Sequence, residues 1–385
     1  MNRSARVVIG IVLLLVGRSV SAQLVRMPAA NATSAEAFSD IRGIRELPDG
    51  RILVSDYRDQ RVVLVDLERG TVTARVTEGS GPQEARLPTA LIPALGDSTV
   101  LIDMGNQRLL VLDGEGRVRR TIPGSQPGIM GLKGIDRTGV YYFSIPSWME
   151  RGRELPNDSV RIVRWNPRAG AQQTIAVIQG ERMRSNIREP ALTPRIPTVG
   201  YGSRDAWVVD GRGGVRIVRG GSYTVEVHLA DEAPVIGPGY SYQTAKINQA
   251  DRVAFVRRFM LTSPSSGKGP GGGLGFSPPA SDQEIARLVL GTEFAERHPM
   301  FDAGSVLVES GGRLWVGLPA GSGQPVRYDL FDLAGRRVAS LEFPAGRRVV
   351  ALGNRSLYAI VEADDGLQHL ERYSMPGERN GILPP

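Results

Sequence analysis

The 385-residue chain has no cysteine and only three histidines, His228, His298 and His369. Without cysteine there is no disulfide framework, so stability must come from a large buried core, which a chain of this length can supply. Three histidines in separate parts of the sequence, with no short spacing, argue against a histidine-ligated zinc centre and are read as isolated structural or surface residues. Charge of one sign is never concentrated: 47 Lys and Arg against 40 Asp and Glu give +7, scattered along the chain. A nucleic-acid binder would show a basic stripe on a matching fold, and that partner is discounted. Long apolar runs are missing too. "VVIGIVLLLVG", residues 7–17, is stopped by Arg18 after eleven residues, where a bilayer span needs about 20. Flanked by Arg3 and Arg6 on one side and by "RSVSA" on the other, it predicts a secretory signal peptide, residues 1–22, cut after Ala22. Its removal takes away three arginines and no acid, so the mature chain, 23–385, carries 7 − 3 = +4. That chain has no expected transmembrane segment and is expected to be exported, periplasmic or extracellular.

Glycine and proline, in contrast, are plentiful (47 and 26), which suits many short strands joined by tight turns. "DGRILVSDYRDQRVVLVD" (Asp49–Asp66) returns as "DSTVLIDMGNQRLLVLD", with Asp56, Gln60, Arg61 and Asp66 falling 47 residues later on Asp103, Gln107, Arg108 and Asp113. Each apolar run is bounded by turn residues and reads as a strand of a hairpin. Adding "IRGIREL" before and "TVTARVTEG" after gives four antiparallel strands in about 45 residues. The unit recurs down the chain. Unit four is read as "IPTVGYG", "AWVVDG", "VRIVRG" and "SYTVEVHL", and unit six as "RVVALGN", "SLYAIVEAD" and "LQHLERYSM". Repeats of this length made of four strands are the mark of a propeller, because a lone small sheet cannot cover both of its faces. The reading is an all-β six-bladed propeller. Unit six lacks an outer strand, and Gln23–Pro28 is the expected donor, closing the ring.

The stretches "LPDGRILVSDYRDQRVVLVD" and "VLIDMGNQRLLVLDGEGRV" resemble NHL-type six-bladed propeller repeats, and "EGSGPQEARLP" (Glu78–Pro88) resembles the loop leading into the next blade. The match is good in units one and two, fair in four and five and poor in three and six. The resemblance implies a fold rather than a chemistry. Enzymes of this general shape include calcium-dependent lactonases and esterases and zinc-dependent lyases. A calcium site would need Glu, Asn and Asp side chains converging in the channel; "VEADDG" (Val361–Gly366), with Asp364, is acidic enough to contribute, but no complete set aligns.

Two segments break the repeat. One is Ser144–Asp158, between the second and third strands of unit three. The other, about 230–302, lies between units four and five and holds two helical patterns. The first has Ile247, Val253, Val256, Phe259 and Met260 on one face, with Phe255 off it. The second begins at Ser281, with Glu284 three residues on. Both breaks fall in connections that open on the same face of a propeller, so they are expected together at the mouth of the central channel. Loops held there carry function more often than the scaffold does. Candidate mouth residues are Asp56, Asp103 and Asp210, each read as ending a second strand, with Arg58, Asn106, Arg212 and Asp364 in nearby turns. Trp148 and Arg151 join them from the unit-three insertion. The aspartates have a competing role, accepting hydrogen bonds from turn amides. Ser265–Lys268 has the Ser-x-x-Lys spacing but leads into a glycine run rather than a helix. The function expected is an exported binding or interaction module for a protein, peptide or carbohydrate, without a cofactor. A hydrolase or lyase using a channel metal such as calcium is the alternative.

Overall fold

The computed structural model describes residues 23–126, 128–150, 158–181, 198–262, 281–321 and 323–377. The expected signal peptide, Arg151 and Ser265–Lys268 lie outside the described residues. Six antiparallel sheets follow one another in the chain. Their inner strands are Ile41–Glu46, Pro88–Pro93, Leu132–Ile135, Ala206–Val209, Val306–Val308 and Arg347–Leu352. Each inner strand touches the inner strand of the next sheet, and the sixth touches the first. The architecture is therefore a closed, all-β six-bladed propeller.

The sequence builds the ring because both faces of every sheet are apolar. In blade one, Ile52, Val54, Val63 and Val65 pack toward blade six, whereas Leu53, Val62 and Leu64 pack toward blade two. One apolar cluster of this kind fills each of the six gaps between blades. At roughly 1.5–3 kcal/mol for each fully buried Val, Leu, Ile or Phe, these six interfaces replace the missing disulfides.

Two turn types set the direction of the strands. In blades one to five the hairpin joining first to second strands closes around five residues, as does Asp113–Arg117 between the third and fourth strands of blade two. There Asp113 Oδ1 accepts from the amides of Glu115 and Arg117, both at 2.9 Å, and Gly116 takes φ 76°. These turns form the lower face. Hairpins joining second to third strands place one residue in the left-handed region: Gln60 (φ 49°), Gln107 (φ 53°) and Tyr223 (φ 46°). They form the upper face together with the connections from blade to blade.

This assignment corrects unit four. "AWVV" is its inner strand, Val215–Arg219 the second, Thr224–His228 the third and Val235–Ile236 the outer one. Val199–Gly200, read as the first strand, instead pairs in parallel with Glu293–Phe294 of the insertion. Asp210 consequently ends a first strand and lies on the lower face, opposite Asp56 and Asp103.

Closure also differs in detail. Gln23–Arg26 adds a fifth, parallel strand outside blade five, against Ala339–Glu342, and not the outer strand of blade six. That strand is Ala32–Thr33, paired with Glu371–Arg372. The chain is extended between the two, so the amino-terminal segment staples both blades. The reason lies in Ser34: its Oγ accepts from the Leu370 amide at 3.0 Å and donates to the Glu36 carbonyl at 2.8 Å. This fixes residues 32–34, rather than 23–28, on the last blade.

Candidate functional site

The insertion between blades four and five contains two helices, α1 (Gln249–Thr262) and α2 (Asp282–Leu290). Helix α1 starts on a reciprocal cap, in which the Asp251 amide donates to Asn248 Oδ1 at 3.0 Å and the Asn248 amide donates to Asp251 Oδ2 at 2.9 Å. Helix α2 starts as its sequence predicts, with the Glu284 amide donating to Ser281 Oγ at 3.2 Å. The helices meet through Val256, Ile285 and Val289, all buried. Phe255, expected off the packing face, is in fact in contact: it lies 5.0 Å from the Tyr201 ring and 5.8 Å from Phe294.

Tyr201 anchors the insertion. It precedes the inner strand of blade four, sits at φ 58°, and donates from its hydroxyl to the Asp251 carbonyl at 3.0 Å. Its ring meets the edge of His298 at 4.7 Å, and His298 Nε2 is 3.3 Å from Asp251 Oδ2. Burial pushes the Tyr201 hydroxyl above its ordinary value, with the Asp251 carboxylate adding to the effect. His298 is therefore a structural residue, holding the start of α1.

Helix α1 continues from this anchor. Its Arg258 is within electrostatic reach of Tyr201, at the connection between blades three and four, and of Arg348, on the inner strand of blade six. Asp302, just before blade five, is close to both Tyr201 and Arg348. Helix α1 is thus held beside blade four, with Arg258 near Gly304 before blade five and within electrostatic reach of Arg348 on blade six. The interruption in blade three opens on the same face. It begins with a short turn, Ser147–Met149, that includes Trp148, and Arg161 holds its Glu150 through paired guanidinium–carboxylate bonds.

The predicted aspartates are not open to a ligand. Asp56 is fully buried, and its two oxygens accept from the amides of Ser39 and Asp40 at 3.0 Å each. Burial raises its carboxyl above the usual range despite those bonds. Asp103 is equally buried. Its Oδ1 accepts from the Arg86 amide at 2.8 Å, and its Oδ2 accepts from Asn106 Nδ2 at 2.8 Å and Arg108 Nε at 2.7 Å. Both therefore tie the incoming connection to the hairpin beneath it. Asn106 is committed to the same network through the Gly79 carbonyl at 3.0 Å. Asp210 caps its own lower-face turn and pairs with Arg216 at 2.8 Å. Arg212 is exposed in that turn. Arg58 is half-buried and Asp364 exposed, each in an upper-face hairpin.

Sequence reasoning gave no weight to the basic residues of the inner strands. Lys133 is the second residue of blade three's inner strand, at a bulge between Leu132 and Gly134, and bulges re-aim side chains. Its side chain is exposed, while nearby protein first and Arg204 second lower its ammonium from the ordinary value. Arg348, the second residue of blade six's inner strand, is lowered by burial first and by Arg258 second, against Tyr328, Asp302 and Asp40. A basic residue inside "LKGI" and "RRVVAL" was the available signal. Among the described residues no group of three or more His, Asp or Glu is arranged to hold a metal ion.

Neither the protein-family models nor the curated proteins match this chain. Solved structures do. A gluconolactonase from Xanthomonas campestris is 14% identical over 90% of this chain and 94% of that one, with a TM-score of 0.43. The calcium-binding protein regucalcin from Agrobacterium tumefaciens is 12% identical over 92% and 98%, at 0.41. Virginiamycin B lyase from Staphylococcus aureus is 9% identical over 90% and 99%, at 0.41. The chain is a six-bladed propeller that resembles those of gluconolactonases, regucalcin and virginiamycin B lyase at low identity.

Proposed function

We propose that this protein is an exported binding module whose ligand sits at the upper mouth of the central channel, beneath α1 and α2. The observation that supports this most is the span of α1. A helix docked on Tyr201 beside blade four carries Arg258 to within electrostatic reach of Arg348 on the inner strand of blade six. Such a lid encloses a concave site ringed by strand ends, a common setting for small ligands. The basic start, short apolar run and small-residue end of residues 1–22 favour export. The metal-dependent reading has no side-chain cluster among the described residues to support it.

A thermal-shift screen of a metabolite and peptide library, followed by hydrogen exchange on each hit, tests the reading. Protection is expected at Val199–Tyr201, along α1 and at Asp302–Ser305. Protection confined to the lower-face turns, such as Asp136–Val140 and Asp210–Gly214, would overturn it.

A further inference from the structure

Single exposed apolar residues are normal on a protein surface, but four of those in this propeller share one place, the lower outer edge of the seam between blades four and five. Leu229 (42% exposed), Val235 (44%) and Ile236 (68%) come from blade four, and Leu333 (56%) comes from blade five. Close backbone approaches hold them together. The Gly237 amide, next to Ile236, donates to the Val225 carbonyl at 2.9 Å. A Cβ on Gly335, in the turn that carries Leu333, would lie only 3.2 Å from the Gly237 Cα. Leu229 and Leu333 flank the Arg216 guanidinium. A Cβ on Gly214 would meet Leu229 Cδ2 at 3.3 Å and Arg216 Nη1 at 2.6 Å, and one on Gly312 would meet Leu333 Cδ2 at 2.7 Å and the other arm of the same guanidinium. Exposed apolar side chains gathered in this way mark a docking surface.

What can occupy it follows from where the last blade releases the chain. The third strand of blade six, Gln368–Ser374, runs down to the lower face. Beyond it the Met375 amide donates to the Arg355 carbonyl at 2.9 Å, and Met375 packs into the cluster between blades five and six. Arg313 Nη2 then donates to the Pro376 carbonyl at 3.2 Å. Arg313 and Gly312 belong to one hairpin, so the chain leaves beside the turn that Leu333 touches. Residues 378–385, "ERNGILPP", lie outside the described residues. In that sequence Asn380-Gly381 is a turn signal, and two large apolar residues follow it, Ile382 and Leu383. The stretch from Pro376 to Ile382 can span up to about 20 Å at roughly 3.3 Å per residue, whereas the neighbouring seam is one blade away, about 10 Å. A tethered segment also acts at an effective concentration on the order of mM, which favours it over a second copy of the chain.

We propose that Ile382 and Leu383 dock on the apolar edge formed by Leu229, Val235, Ile236 and Leu333, so that the segment after Gly377 crosses beneath blade five to blade four. This surface lies on the face opposite the helical insertion and is independent of the upper-mouth reading.

Because the chain has no cysteine, disulfide trapping tests the proposal without background. Full-length protein carrying Leu333→Cys with Leu383→Cys is compared, dilute and under mild oxidation, with protein carrying Arg355→Cys with Leu383→Cys. Arg355 is exposed and adjoins the point of exit, so an undocked segment closes the shorter loop to position 355 more readily. A docked segment reverses the order, and the intramolecular disulfide at position 333 should form about tenfold faster than that at 355. Adding Ile382→Asp to the first pair should bring its rate down to that of the second. As a measurement free of introduced cysteine, hydrogen exchange of the parent and of Ile382→Asp should show amides of residues 332–336 exchanging about fivefold faster in the variant. Faster trapping at position 355, or exchange at 332–336 that Ile382→Asp leaves unaltered, overturns the proposal. So does a disulfide at position 333 that forms mainly between molecules, which would give this edge to a second copy.

Discussion

Replacing Asp103 by alanine separates a scaffold role from a ligand role at the mouth. The side chain is fully buried and receives three hydrogen bonds: from the Arg86 amide, from Asn106 and from Arg108. Its loss strands the Arg86 amide, which costs about 1–3 kcal/mol when the group is buried. It also breaks a buried ion pair, which costs about 3–5 kcal/mol when one partner is left behind. Arg108 keeps the carbonyls of Gly81 and Glu84, each at 2.8 Å, so the lower part of that second range applies. A total of about 4–6 kcal/mol follows, a large fraction of the roughly 5–15 kcal/mol that holds most proteins folded. Equilibrium urea unfolding measures it, with Asp364→Ala as the exposed control, expected within about 0.5 kcal/mol of the parent. If Asp103→Ala costs less than about 1 kcal/mol, Asp103 is not a scaffold residue and this reasoning fails.

Gly43→Ala would place a Cβ 2.5 Å from the Thr89 carbonyl oxygen and 2.8 Å from the Leu91 amide. Thermal unfolding should show a loss of about 1–3 kcal/mol, whereas Gly311→Ala, with nothing near its Cβ, should be near neutral. Ser34→Ala strands the buried Leu370 amide, and a loss of about 1–3 kcal/mol by urea titration is expected. Tyr201→Phe removes the bond to the Asp251 carbonyl; at about 1 kcal/mol, amides of α1 should exchange about fivefold faster with global stability little changed. Glu226 is subject to burial, which raises its carboxyl, but its bonds to Arg219 and His228 outweigh this and hold it below the usual 4.5. Its contribution is present above that value and is lost as pH falls through the lower folded one. Glu226→Gln should therefore flatten the acid limb of a melting-temperature profile below about pH 4.5, and an unaltered limb would refute the pairing.

The repeat was legible because its punctuation is chemical. Asp-Gly turns and short β-branched runs identified four of the six blades strand by strand and three strands of the sixth, and the helix start at Ser281 was visible as a capping pattern. Unit four slipped by one strand because "IPTVGYG" has a strand's composition. The turn chemistry that would have corrected it, Asp210-Gly-Arg-Gly-Gly against Arg219-Gly-Gly-Ser-Tyr223, is distinguishable only once the two faces are known. The site was harder to read. Repeated aspartates drew attention because they recur, yet in blades one and two the recurrence reflects a bond between the hairpin and the preceding connection. Lys133 and Arg348 occur once each in apolar strands, so recurrence could not point to them.

The staple made by residues 23–34 has a bearing on how the molecule is made. Ser34 and Leu370 are 336 positions apart, and bringing such distant points together costs on the order of 5 kcal/mol in chain entropy, from (3/2)RT ln n. Nothing formed earlier in synthesis can repay that, because blades five and six are made after the other four. Residues 23–34 must wait, unpaired, for their strands. Until then blades five and six each present a bare β-edge to any other extended chain nearby, so nascent and truncated forms of this protein should be the ones that aggregate.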